Sequence, residues 1–325
     1  MTVGVMLPAG DTGGATNLVE ELLRQTRQAR DAGVGSVWFS QLFDHDAITL
    51  AALAGREVPG IAVGTAAVPL YPRHPLVLAS LAQTAQAATG GRFTLGVGLG
   101  VQTLLEPAYG VDYPPPIGHL RESLTVLRQV LRGEQPRFTG RTVTARPPLP
   151  TAVPGGGDVR LIVAAMGTQA LRAAGELADG TVTYLAGPRS LEEHIVPQLC
   201  RAAARAGRPQ PRVVAAVPAV VTDDVEVVRQ TAAVHLGAYA SLPSYRKVLA
   251  REGVAHPADL ALVGDEATVA AGIRRYFDAG ATEVVVIHAG MRSARERLRT
   301  WALAGELTAA ADLRPAAVAG VGGGR

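Results

Sequence analysis

Ile61-Ala62-Val63-Gly64-Thr65-Ala66-Ala67-Val68-Pro69 and Phe93-Thr94-Leu95-Gly96-Val97-Gly98-Leu99-Gly100 decide the fold. Each is a short apolar run with β-branched residues, bounded by glycine or proline and too brief for a buried helix. Between them Pro75 opens a segment of helical period, where its fixed φ and missing N–H suit a first turn. Two strands joined through a helix make a right-handed βαβ unit with parallel strands.

The same alternation runs along the whole chain. Eight strand-like runs stand out: Val3 to Met6, Ser36 to Ser40, Ile61 to Ala66, Phe93 to Val97, Arg160 to Ala165, Gly180 to Tyr184, Val213 to Val221 and Glu283 to Ile287. The segments between them end in helix-stop sequences such as Asp31-Ala32-Gly33 and Asp278-Ala279-Gly280. In the first helix Leu18, Leu22, Ala29 and Ala32 share one face, while Glu20, Glu21, Arg24 and Arg27 point away. Eight such units predict an α/β chain folded as a (βα)8 TIM barrel, with the working residues at the C-terminal ends of its strands.

Three stretches are too long to be plain connections: Gln102 to Pro116, Glu134 to Gly157, and Gly237 to Ala261 with Tyr239, Tyr245 and two prolines. They are read as insertions at the C-terminal face, the last as extra helices over the barrel mouth. No linker splits residues 1–315, which read as one domain; Ala316 to Arg325 is a Gly- and Ala-rich tail expected to be disordered.

Composition excludes several classes. With 48% hydrophobic and 18% charged among 325 residues, the chain carries enough apolar sequence for a large core. Its 31 basic and 28 acidic residues are scattered, which argues against a nucleic-acid partner. The single cysteine, Cys200, can form neither an internal disulfide nor a cysteine-based metal site. No long apolar run indicates a membrane partner, and the expected location is the cytoplasm.

Candidate chemistry sits after the strands. Asp44-His45-Asp46 follows the second and reads either as a weak ligand cluster or as a loop whose Asp46 caps the next helix; no metal is assigned. Gly64 to Ala67 leaves room for a flat ring, or merely permits tight packing, and Arg73-His74 braces the following helix or a subunit contact. Gly96-Val97-Gly98-Leu99-Gly100 lets backbone approach a ligand, but no helix opens directly behind it, so it is not a dinucleotide fingerprint. Ala164-Ala165-Met166-Gly167-Thr168 runs into a helix start, suited to a phosphate or to an ordinary Thr cap.

Taken together, Gly64 to Pro75, Gly90-Gly91-Arg92-Phe93-Thr94-Leu95-Gly96-Val97-Gly98, Ala178-Asp179-Gly180, and Val263-Gly264-Asp265-Glu266 through Ala279-Gly280-Ala281 resemble the luciferase-like flavin or deazaflavin oxidoreductases. Ser40-Gln41-Leu42-Phe43 and Asp179 to Pro188 are most similar to actinobacterial members that use coenzyme F420. The resemblance implies a non-prolyl cis peptide at Ala66-Ala67 backing the ring, with Gly64 and Thr65 beside it. It also implies that Leu99 and Gly100 line the ring, and that Ala164, Ala165, Met166, Gly167 and Thr168 meet the ribityl chain and phosphate. A homodimer and a separate enzyme that reduces the coenzyme are implied as partners.

One branch of that family, the sugar-phosphate dehydrogenases, has an acid and a histidine after the second strand and a glutamate after the fourth. This chain has Gln41 and Leu42 in the former place and lacks the latter. Oxidising an alcohol needs a base for the hydroxyl proton, so the expectation shifts to a reductase that delivers hydride to a C=C or C=N bond of a small molecule. Gln41, His45 and Tyr184 are the catalytic candidates, Gln41 also facing the cofactor. The alternatives are a monooxygenase using flavin mononucleotide (FMN) and a barrel that binds cofactor without catalysis.

Overall fold

The computed structural model describes residues 1–8, 14–288 and 293–312. The expected tail from Ala316 lies outside them. Eight parallel strands occur where the apolar runs place them: β1 Thr2–Leu7, β2 Ser36–Phe39, β3 Ala62–Thr65, β4 Phe93–Gly98, β5 Arg160–Ala164, β6 Gly180–Tyr184, β7 Arg212–Val221 and β8 Glu283–Ile287. Each pairs with the next in the chain, and β8 returns to β1 through Thr2 with Glu283 and Val5 with Val286. This is a closed (βα)8 barrel.

The principal helices alternate with the strands: α1 Leu18–Asp31, α2 Ala47–Glu57, α3 Pro75–Ala88, α4 Pro116–Leu131, α5 Thr168–Leu177, α6 Val196–Arg205, α7 Glu266–Asp278 and α8 Ala294–Asp312. Local chemistry sets their ends. Asn17 and Asp265 cap α1 and α7 by accepting from backbone N–H groups of the first turn. Gly33, at φ +81, stops α1 in a conformation that side chains resist.

Two details differ from the expected strand set. The third run ends at Thr65, and the chain turns through a cis Ala66–Ala67 peptide before Val68–Pro69 pairs with the top of β4. A short strand, Leu262–Gly264, pairs with Ala219 to Val221 because β7 is ten residues long and outruns the barrel.

The barrel interior is layered. Met6, Trp38, Ile162, Val182, Val214 and Val285 pack inside the strands. Gly64 makes space for Trp38, since a Cβ there would lie 2.7 Å from the indole. Below this apolar layer lies a buried polar one. Arg212 Nη2 meets Glu283 Oε2 at 2.6 Å and Arg212 Nη1 donates to Thr94 Oγ1 at 3.3 Å. The other carboxylate oxygen of Glu283 accepts from Ser36 Oγ and, at 2.9 Å, from Trp38 Nε1. One acidic side chain thus ties β2, β4, β7 and β8 together.

The stretch from Glu134 to Gly157 carries an arm, the antiparallel pair Phe138–Thr139 and Thr144–Ala145. Its turn is held by Glu122 of α4, which accepts from the N–H groups of Arg141, Thr142 and Val143 and from Thr142 Oγ1 at 2.7–2.9 Å. Burial raises this carboxyl's pKa, but those four donors outweigh it and hold the group at about 2, below its ordinary 4.5.

Glu283→Ala strands Arg212 without its carboxylate. We expect a loss of about 3 kcal/mol in urea unfolding, the low end for a broken buried pair, because Arg212 keeps 27% of its side chain in solvent. For the arm the sign follows from the depressed pKa. The Glu122 contribution is complete above the ordinary 4.5 and is lost as pH falls towards about 2. The protection factors of the amides in residues 138–145, taken relative to intrinsic exchange at each pH, should therefore fall over that window in the native protein and be low at all pH values in Glu122→Ala.

Candidate active site

A cavity of about 510 Å³ opens at the C-terminal end of the barrel. Its cradle wall is made mostly of small residues: Ala66 and Ala67 from the turn after β3, Gly98 and Gly100 with Leu99 from the end of β4, and Ala164, Ala165 and Gly167 with Met166 from the end of β5 onward. A Cβ added at Gly98 would touch Ala164 and Ala67, at 3.3 and 3.6 Å, and so would fill the cradle. At Gly100, φ is +71 and a Cβ would clash with Leu105 at 2.4 Å. The corner beyond Ala164 is the N-terminus of α5, where Gly167 is the cap residue and no side chain bonds the free N–H groups.

The wall facing this cradle is aromatic. Tyr184 ends β6, Tyr239 sits in the short helix Gly237–Ser241, and Tyr245 lies in the helix Pro243–Glu252. Their rings meet edge to face, Tyr184 with Tyr239 at 5.2 Å and Tyr239 with Tyr245 at 5.0 Å. Burial pushes all three phenol pKa values up, so each hydroxyl keeps its proton. The segment behind them packs on a small core of its own, Leu185, Ala232, Leu236, Leu249 and Leu260.

The sequence-predicted residues divide clearly. Gln41, Ala66, Ala67, Leu99, Gly100, Ala164, Ala165, Met166, Gly167 and Tyr184 come together around the cavity. Gln41 is 8% exposed, and its Oε1 accepts from Ala47 N at 3.1 Å. Two neighbours are corrected: Gly64 lies under Trp38, and Thr65 is fully buried, its hydroxyl exchanging two 2.9 Å bonds with the Gly96 backbone. Both shape the wall from behind.

Thr168 is the first residue of α5, exposed, and is not its cap. His45 is not on the cavity wall; its Nε2 bonds Ser40 O at 2.9 Å and its Nδ1 faces Asp44 at 3.0 Å. Asp46 caps α2 and pairs with Arg73, while His74 caps α3.

Sequence reasoning placed Tyr239 and Tyr245 over the mouth but assigned them no role. Two aromatics in an insertion, in a chain with 4% aromatics, were the available signal. It missed Thr183, which borders the cavity, is 1% exposed and has an Oγ1 with no partner. A buried unpaired hydroxyl beside a ligand-sized space is a group that a bound molecule can satisfy.

The cradle is braced from outside. Tyr113 donates to Leu99 O at 3.1 Å and stacks on Tyr71 at 4.2 Å; Tyr71 stacks in turn on His119 at 4.3 Å. His119 Nδ1 reaches Thr142 Oγ1 of the arm at 3.1 Å.

With this geometry in place, the sequence also matches one family model, that of the luciferase-like monooxygenases, over residues 1–283. The chain belongs to this family. A Mycobacterium tuberculosis protein provisionally named a coenzyme F420-dependent oxidoreductase is 28% identical over 211 residues. That match spans 60% of this chain and only 61% of the relative. The 5,10-methylenetetrahydromethanopterin reductase of Methanolobus tindarius is 26% identical over 273 residues, 81% of this chain and 78% of that protein.

Among solved structures, the coenzyme F420-dependent tetrahydromethanopterin reductase of Methanopyrus kandleri superposes with a TM-score of 0.78 at 23% identity, covering 94% of this chain and 97% of that one. The oxygenating constituent of the Pseudomonas putida 3,6-diketocamphane monooxygenase, in complex with FMN, gives 0.76 at 18% identity, covering 97% and 99%. These likenesses establish the fold.

Gly98→Leu puts four carbons into the cradle without touching the barrel's closure. We expect at least a tenfold loss of affinity for the flat-ring cofactor in a fluorescence titration, with the melting temperature within a few degrees of the parent.

Proposed function

We propose that the protein is a coenzyme F420-dependent oxidoreductase that reduces a C=C or C=N bond of a small molecule. One observation carries the direction. Among the described residues that line the cavity, tyrosine is the only ionisable type. An alcohol dehydrogenase needs a group that accepts the hydroxyl proton. The tyrosines here hold their protons, so none of them can serve as that base.

The residues fit the coenzyme. Its ring would lie on Ala66, Ala67, Leu99 and Gly100, and its phosphate at the start of α5, held by N–H groups and the Thr168 hydroxyl. When bound, the reduced deazaflavin supplies a hydride from the carbon that replaces the central nitrogen of a flavin. Gln41 lines the cavity and is fixed through Oε1, which would leave its amide nitrogen as a donor to the ring or the reactant. Tyr184 gives the proton that, with the hydride, saturates the double bond. A separate enzyme regenerates the reduced coenzyme. The named activities of the mycobacterial and methanogen relatives support this reading, and the FMN-bound neighbour defines its rival.

Titration with coenzyme F420 and with FMN, each oxidised and reduced, tests the cofactor. Micromolar binding of coenzyme F420 is expected; tight FMN binding with no response to coenzyme F420 would replace this reading with a monooxygenase. In single-turnover oxidation of the reduced coenzyme by activated alkenes and imines, Tyr184→Phe should be slower by about 100-fold, the low end for loss of a general acid. Coenzyme affinity should be unchanged.

A further inference from the structure

The half of the cavity facing the cradle specifies a reactant. We infer that this half takes an uncharged molecule with a flat apolar body, aromatic or polycyclic, bearing one neutral acceptor atom beside the reducible bond. The inference rests on the reductase reading for what happens to that bond, but not for which molecule binds.

Three observations converge on it. The first is charge. Among the described residues no Asp, Glu, Lys, Arg or His lines the cavity, whose polar side chains there are Ser40, Gln41, Thr183, Ser244 and the three tyrosines. A carboxylate or phosphate on the reactant would leave water with no cationic partner, whereas a carbonyl or imine needs only one donor. Buried phenols that stay protonated are such donors.

The second is shape. Tyr184, Tyr239 and Tyr245 meet at interplanar angles of 70–83°, so they present ring edges and faces to a guest, the geometry that aromatic partners prefer. Below them Met6, Val182, Ala216 and Ile287 close the floor with aliphatic groups. The space also has to admit the coenzyme ring, and cavities of about 300–1,000 Å³ hold one drug-sized ligand. The guest is therefore on the scale of one or two rings.

The third is the entrance. Leu42, Phe43 and Leu104 line the mouth and are 66%, 56% and 50% exposed. Large apolar side chains grouped around an opening mark a path for apolar ligands.

Equilibrium dialysis of the purified protein, with and without saturating oxidised coenzyme F420, tests the charge rule on matched pairs: methyl cinnamate with cinnamate, and methyl 3-(2-naphthyl)acrylate with its free carboxylate. We expect the neutral member of each pair to bind at least tenfold more tightly. Leu42→Arg, at an exposed position, should narrow that gap at least threefold by offering the carboxylate a partner. Equal or tighter binding of the carboxylates, or no retention of either neutral compound at millimolar concentration, overturns the inference. Turnover decides the other question. Neutral compounds that bind yet never oxidise the bound reduced coenzyme would sink the reductase reading and leave the binding rule standing.

Discussion

The ion pair between Arg212 and Glu283 organises the barrel. A closed sheet of eight short strands must fill its own interior, and this chain fills the lower end with charge. Glu283 accepts from groups on two other strands, so β2 and β7 are registered against β8 through one carboxylate, and Arg212 carries the link on to β4. Directly above, the Trp38 indole donates downward to this layer while its ring roofs it with apolar surface. The charged fastening lies on one side of that ring. The other side can be lined with alanine, glycine and tyrosine, which contribute little fastening of their own.

The barrel was legible because each strand is a compact apolar run and most of the intervening helices carry a cap or a glycine stop. Asp46, Pro75 and Gly280 do in the structure what their positions suggest. The Arg212–Glu283 pair was not legible. Its partners are 71 residues apart and sit at strand starts, where a charged residue ordinarily reads as the end of a run. Leu262–Gly264 was missed for a related reason: three residues have no period, and they form a strand only because β7 overshoots.

The site was half legible. The cradle follows from small residues at strand ends, which sequence shows directly. Gly64 and Thr65 illustrate the limit, because alternation along a strand says that neighbours face opposite ways but not which of them faces the ligand. The aromatic wall depends on how a long insertion folds back over the mouth, and no local pattern records that. Thr183 is harder still: an unpaired hydroxyl is a property of its surroundings, not of its own residue type.

The tyrosine wall stands on its own small core, built from the insertion between β7 and α7 together with Leu185. The cradle wall stands on the barrel and is braced through Tyr113 and Tyr71. Two separately supported walls can change at different rates. Substitutions in the 237–261 segment can reshape what the protein accepts without disturbing what carries its electrons. A lineage could thus acquire new reactants by rewriting the cap over the mouth, keeping the same redox engine beneath it.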